Sequence, residues 1–344
     1  MELTKDTVKQ YLLNLPFQER NSLLAELALE PENSSTPSTK LSRRDLLNNK
    51  QGACPHCGHA KYVRFGSDKG AQRYKCKGCK KSFTEFTGTW MAGLHKKDKI
   101  DAYLVLMIEE KSLDKIKEEL HINKKTAFDW RHKILSSLDN IEKDSFSGIT
   151  ESDETFLLFS EKGKRTLTRK GKKRGGRAKK KGISNEQVAV IATADRAGQQ
   201  DLSVATIGRL KKSDIEKSIG ARISDKTILC SDSHVSFKGF AIDNSIEHHA
   251  IRADLKQYVK DGIYHVQHVN SIHNRLKKWI NQQFWGVSTK YLQQYLNWFR
   301  IKEMLKYKQM PISELANQTI VDIGTYARYC QINEKYNLLI STQY

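Results

Sequence analysis

The spacing of apolar positions divides the chain into helical and strand-forming stretches. Residues 1–30 carry leucines at helical intervals in VKQYLLNL and ERNSLLAELALE, which predicts a small helical module. PENSSTPSTK breaks that pattern with proline, serine and threonine, so residues 31–47 read as a linker. Further on, KSLDKIKEELHINKKTAFDWRHKILSSL predicts two helices. Leu113, Ile116 and Leu120 form one apolar face, HIN interrupts it, and Asn123 can cap a second helix carrying Ala127, Trp130 and Ile134. After residue 147 the pattern changes. GITESDETFLLFS, EQVAVIATADRAG and DLSVATIG predict strands, KKSDIEKSIGARI a helix, KTILCSDSH and SIEHHAI two more strands, and HVNSIHNRLKKWI a helix. That order predicts an α/β domain with a mixed sheet over residues 147–300. ISELANQTIVDIGTYARYCQI mixes apolar and polar residues as helices do, so residues 301–344 read as a C-terminal helical segment.

Composition narrows the partners. The chain has 344 residues, enough for two or three domains, and a formal net charge of +20. An excess of that size points to a polyanion, and nucleic acid is the obvious one. The N-terminus lacks the long apolar run of a signal peptide and carries acids early, and VAVIATA is far too short to cross a bilayer. The expectation is a cytoplasmic, nucleoid-associated protein. Six cysteines in such a setting are metal ligands or free thiols rather than disulfides.

Four of them have ligand spacing. Cys54 and Cys57 form one C-x-x-C and Cys76 and Cys79 another, with eighteen residues between. Four thiolates on two knuckles suit tetrahedral zinc and leave no open position, so the site reads as structural. The intervening KYVRFGSDKGAQRYKC suits a short hairpin, giving a zinc ribbon over residues 48–90. Arg73, Lys75, Lys77, Lys80 and Lys81 add phosphate-seeking charge. His56 and His59 read as bystanders, Cys230 and Cys330 as inert thiols.

Two further regions are candidates for DNA contact. The helix pair within residues 95–142 fits a helix-turn-helix whose second helix opens with Lys124, Lys125 and Thr126 and continues to Arg131; an ordinary helical hairpin has the same periodicity. Residues 162–181, inside an insertion spanning 161–184, contain twelve Lys or Arg and no acid. A run of that kind, including Lys172, Lys173, Arg174 and Arg177, cannot pack into a core and reads as an arm that tracks phosphates, against the alternative of a solvated surface. No G-x-x-x-x-G-K-[ST] loop is present, which argues against an ATP-driven enzyme.

The strands offer carboxylates. Asp153 lies inside the first strand and Asp232 at the end of a later one. If those strands are neighbours, the two acids meet at one place on the sheet and can hold divalent metal, Mg²⁺ or Mn²⁺. From Gly262 to Lys302 there is no Asp or Glu, so no acid on the HVNSIHNRLKKWI helix can be a third donor; Asn270, 38 positions after Asp232, can serve through its side-chain carbonyl. His273 and Lys277 fall on the same helical face and are placed to contact a scissile phosphate. Glu154 follows Asp153 directly and should point to the other face of the strand, which makes it the weaker candidate. The histidines of EHHA and HVQH fit no specific metal geometry and read as strand or surface residues.

The C-x-x-C pairs with RYKCKGCKKSF, ESDETF, SDSH, and above all VNSIHNRLKKWI…GVSTKYLQQYLNWF resemble insertion-sequence transposases of the ISXO-like type, which pair a zinc ribbon with a DDE-class catalytic domain. The resemblance runs from about Gly52 to Phe299. It implies an RNase H-like fold, an Asp-Asp-Asn triad with a nearby histidine at Asp153, Asp232, Asn270 and His273, and metal-dependent cleavage and strand transfer at terminal inverted repeats. Joining two DNA ends implies a homodimer on double-stranded DNA. Two rivals share much of the pattern: a non-catalytic zinc-ribbon regulator, and a nuclease acting on RNA–DNA hybrids.

Overall fold

The computed structural model describes residues 39–141, 143–169, 171, 176–308, 319 and 322–341. The helical module expected over residues 1–30 lies outside them. So do Lys172, Lys173 and Arg174.

A helix, α1 (Thr39–Asn48), occupies most of the segment expected to be a linker. Leu47 is the reason. Its side chain is buried with Tyr62, Tyr74 and Phe83 of the neighbouring hairpin, and Tyr62 donates a 2.9 Å hydrogen bond to the Leu47 carbonyl. Arg44 adds a 2.6 Å ion pair to the buried Glu85. The hairpin is a three-stranded antiparallel sheet of β1 (Tyr62–Asp68), β2 (Ala71–Cys76) and β3 (Ser82–Thr84). Trp90 and Met91, at the end of the expected ribbon, instead join the large core of the following domains.

Next come α2 (Ile100–Ile108), α3 (Leu113–Leu120) and α4 (Lys124–Leu135). Ser112 caps α3 by accepting from the Lys115 amide, and Asn123 caps α4 by accepting from the Lys125 amide. The turn between them closes on His121, whose left-handed backbone (φ 50°) ends α3. Ile116, Leu120, Ala127, Trp130 and Ile134 are buried, as their spacing requires.

The main sheet has five strands in the order β6-β5-β4-β7-β8. β4 (Gly148–Leu158), β5 (Gln187–Asp195) and β6 (Gln200–Ile207) form an antiparallel meander, while β7 (Thr227–Asp232) and β8 (Glu247–Ile251) run parallel to β4. Parallel neighbours need a crossover. Between β4 and β7 the meander and α5 (Lys212–Ile219) fill that role. Between β7 and β8 it is α6 (Val235–Asp243), a helix absent from the sequence reading, which placed two strands in succession there.

Helices cover both faces. Val188, Val190 and Ala192 of β5 pack with α7 (Gln267–Lys278), α8 (Leu292–Lys308) and the α2–α4 helices; Ala189 and Ile191 pack with α5 and α6. This two-sided burial is why VAVIATA is apolar without alternation. α8 runs straight through the boundary expected at residue 300, and α9 (Thr325–Ser341) completes the described chain. None of the described helices is long and apolar enough to cross a membrane.

Candidate active site

β4 and β7 pair in parallel with Glu151 level with Cys230, and two residues further along the same register Asp153 comes level with Asp232. The ladder between them ends at Glu151 and Cys230, two residues before the acids, whereas β4 continues against β5 as far as Leu158. The end of β7 therefore leaves an open notch beside β4, and the acids stand at it.

Three carboxylates meet there. Ligand oxygens of Asp153, Glu154 and Asp232 all lie within 4.8 Å of one another. The alternation rule assigned Glu154 to the far face, and its position is a correction. Past the end of β7 no strand among the described residues flanks β4 on that side, so the longer glutamate side chain reaches round the edge to the same notch. The Glu154 amide donates to Asp153 Oδ1 at 2.9 Å, and the His234 amide donates to Asp232 Oδ1 at 3.0 Å.

The electrostatics follow from crowding like charges in a half-buried place. Burial, then Asp232 and Glu154, push the Asp153 carboxyl well above the usual carboxylate range, opposed by Lys277. Burial and Asp232 likewise raise Glu154, while His234 pulls it down. A cation would relieve this repulsion. The donor set suits one, since octahedral Mg²⁺ at ~2.1 Å sets its oxygens ~3.0 Å apart for neighbours and ~4.2 Å across. Glu154 Oε2 is buried without a hydrogen-bond partner, an orphan acceptor of the kind an ion satisfies.

Helix α7 brings the remaining candidates. Val269, Ile272 and Leu276 are buried in the core, and the helix packs along β4 and β5. His273 is only 6% exposed, its ring meets the Asp153 backbone, and its Nε2 has no partner. Burial and the adjacent Lys277 push its pKa down to about 4. Lys277 is half-buried and near enough to Asp153 to act on its charge. Asn270 lies one turn before His273 and is exposed. The fold thus brings Asp153, Asp232, His273 and Lys277 together and sets Asn270 on the helix beside them.

Glu151 anchors that helix. Buried at 1% exposure, it accepts from the amides of His268 (2.8 Å) and Val269 (3.3 Å) and from His268 Nδ1 (2.6 Å). A carboxylate at a helix N-terminus is favoured by the helix dipole. His265 and His268 therefore do converge with Glu151. The Arg196 guanidinium sits among them, 2.9 Å from Glu151 Oε1 and 3.1 Å from His265 Nε2, so the charge there is already met by the protein. In EHHA, His248 bonds Ser231 Oγ at 2.9 Å and His249 stacks on Tyr264, which makes both structural.

The four cysteines of the hairpin form a second cluster. Their sulfurs all lie within 4.8 Å of one another, with Cys54–Cys79 and Cys57–Cys76 each at 3.7 Å. Tetrahedral zinc with Zn–S bonds of ~2.3 Å separates its sulfurs by ~3.8 Å, so the cage fits the ion. Phe65 is exposed on the same hairpin, with the Arg73 guanidinium 5.3 Å and the Lys75 ammonium 5.0 Å from its ring.

The other basic residues divide. Lys124 and Lys125 are exposed, in ion pairs with Asp114 (2.8 Å) and Asp129 (2.7 Å), and Thr126 is half-buried. Arg131 is not on that surface. It is 2% exposed, donates to the Lys111 carbonyl at 2.7 Å and lies over the Trp298 ring, because its position on α4 faces α8. Arg177 is exposed. The base of the basic insertion is tied down by Lys162, whose ammonium donates to the carbonyls of Phe284 (2.7 Å) and Gly286 (2.8 Å).

Residues 145–303 match the model of the ISXO2-like transposase domain. The chain is also 24% identical over 253 residues to an uncharacterized protein in transposable element ISH50 of Halobacterium salinarum, covering 72% of this chain and 84% of that one. Among solved structures, a pre-cleavage Mos1 transpososome is 12% identical with a TM-score of 0.20, covering 94% of this chain and 99% of that one. The Mos1 strand transfer complex is 12% identical with a TM-score of 0.22, covering 94% and 98%. Likeness at that level carries no structural argument. The domain match and the transposable-element relative agree in supporting an insertion-sequence transposase of the ISXO2-like type.

Proposed function

We propose that this protein binds the terminal inverted repeats of its element and performs divalent-metal-dependent DNA strand cleavage and strand transfer. The observation that carries the reading is the meeting of Asp153 and Asp232 at the end of parallel neighbours β4 and β7, with His273 and Lys277 on the helix above. The sheet order, an antiparallel meander followed by two parallel strands on the far side of β4, supports the RNase H-like expectation. Asp153 and Asp232 would hold Mg²⁺ or Mn²⁺, with the Asn270 side-chain carbonyl as a third oxygen donor. Bound metal supplies Lewis-acid activation of the attacking hydroxyl and neutralises the leaving oxygen.

The chain's own residues do the rest. Lys277 offers a fixed positive charge to the phosphate. His273, neutral at working pH, offers its free Nε2 to a phosphate oxygen or to the attacking group. Hydrolysis exposes a 3′-hydroxyl that attacks target DNA in the same place, without a covalent protein–DNA intermediate. The four-cysteine cage would hold structural zinc. The hairpin, the start of α4 at Lys124, Lys125 and Thr126, and the basic arm with Arg177 would contact DNA, α3–α4 acting as a helix-turn-helix. Pairing two ends calls for a homodimer, and the setting is the cytoplasmic nucleoid.

The test is a labelled duplex carrying the DNA that flanks the gene, incubated with protein and Mg²⁺ or Mn²⁺. Nicking at a unique 3′ end, lost in Asp232→Ala, is the expected result. Tight specific binding with no cutting in either metal would favour the non-catalytic regulator, which retains the cage and the helix pair. Cleavage confined to RNA–DNA hybrids would favour the nuclease.

A further inference from the structure

The triad expected here has a charge deficit. An amide at position 270 leaves Asp153 and Asp232 as its only anions, and no residue from Gly262 to Lys302 can restore the third. We infer that Glu154 supplies the missing carboxylate, so that the metal site is Asp153, Glu154 and Asp232 with Asn270 as a neutral oxygen donor. The inference rests on the metal-dependent reading above and goes beyond it by assigning a ligand from the same strand as the first aspartate.

Three observations carry it. Glu154 reaches the notch from the wrong side of its strand, and its carboxylate converges with both aspartates to within 4.8 Å. Its Oε2 is buried without a partner among the described residues, on a half-buried residue in the middle of β4. The nearly fully buried His273, against the Asp153 backbone, likewise keeps Nε2 unpartnered. An unsatisfied buried oxygen among crowded carboxylates is the mark of a place that holds a ligand. The 2.9 Å bond from the Glu154 backbone amide to Asp153 Oδ1 holds the Asp153 carboxylate in place beside its neighbour. Lys277 beside Asp153 and His234 beside Glu154 oppose the mutual repulsion only in part, and both carboxyls stay above the usual range. Three carboxylates restore the charge that an acid at position 270 would have given.

The experiment is a Mn²⁺ titration of the full-length, zinc-loaded protein without DNA, following free Mn²⁺ by electron paramagnetic resonance. Wild type is compared with Glu154→Gln, Asn270→Glu, the double variant, and Asp153→Asn. Glu154→Gln should weaken Mn²⁺ binding about tenfold, the scale expected from losing one ligand charge. Its thermal midpoint without metal should be unchanged or higher. Asn270→Glu in that background should recover most of the loss, a coupling the double-mutant cycle measures directly. Unchanged Mn²⁺ affinity in Glu154→Gln, with Asp153→Asn abolishing binding, would overturn the assignment of Glu154 and leave the two-aspartate reading standing. Retained binding in Asp153→Asn would overturn the metal-site reading itself.

Discussion

The four-cysteine cage and the carboxylate notch are both clusters of metal-type ligands, and they are built in opposite ways. The cage draws its residues from a span of 26 positions on one small hairpin, whose own core is little more than Leu47, Tyr62, Tyr74 and Phe83. The notch draws Asp153 and Asp232 from strands 79 positions apart, held by a core that extends across both faces of a five-stranded sheet. A cage of that kind would close around its ion and lend the hairpin its stability. The notch stays open at the end of β7, and the fold bears the repulsion of its carboxylates without needing an ion to form. Structural and catalytic sites differ in which way stability flows.

Removing the metal should separate the two most sharply. Cys76→Ser, or chelation, should unfold residues 48–90, since structural zinc binding in small folds is worth about 10–16 kcal/mol. The sheet domain should stay folded. Hydrogen exchange would show loss of protection in β1–β3 alone; loss of protection in β5 as well would mean that the two units fold as one.

Asp153→Asn should act in the reverse direction. It should abolish cleavage yet raise the metal-free midpoint at pH 8, by about 2–4 °C if the relief is near 1 kcal/mol. The Asp153 pKa is raised in the folded state, so its contribution to stability is present at acid pH and is lost as pH rises through the folded value. The advantage of the variant should therefore shrink toward pH 4. Calorimetry across that range checks it, and a variant less stable at pH 8 would mean that the carboxylate is a structural group.

The smallest effects test the basic surfaces. Arg131→Ala should cost about 2–3 kcal/mol by removing a buried cation from its packing and hydrogen bonds, and leave the salt dependence of DNA binding unchanged. Lys125→Ala should stay within about 0.5 kcal/mol in stability and lower the salt slope by about 1. Denaturation and binding titrations at several salt concentrations distinguish the two residues.

Much of this was legible because it is local. The C-x-x-C pairs announce a cage, since the backbone between ligands is short enough to fix their distance. Asn123 announces the start of α4, and burial on both faces explains the unbroken apolar run of β5. Three features were hidden. Glu154 was assigned to the far face because alternation ignores where a neighbouring strand stops; the pairing of ESDETF with a strand end was the signal that could have found it. Arg131 looked like a phosphate ligand because charge was weighed without knowing that α8 covers that side of α4. Helix α6 went unseen in VSFKGFAID, where Phe237 and Phe240 are buried but Val235 and Ile242 are exposed, so no clean stripe marks it.

By itself the sequence determined the kinds of chemistry available: thiolates at zinc spacing, two strand aspartates, an acid-free helix bearing Asn, His and Lys, and a charge that demands a polyanion. Those follow from residue identity and from separations of a few positions, which the backbone converts directly into distance. Only the tertiary structure decided which carboxylates share a site. Asp153, Glu154 and Asp232 converge because β7 lies parallel to β4 in one register and ends at Asp232, level with Asp153, while β4 runs on to Leu158. Register and strand length are set by the packing of the whole sheet against its helices, and no local pattern carries them.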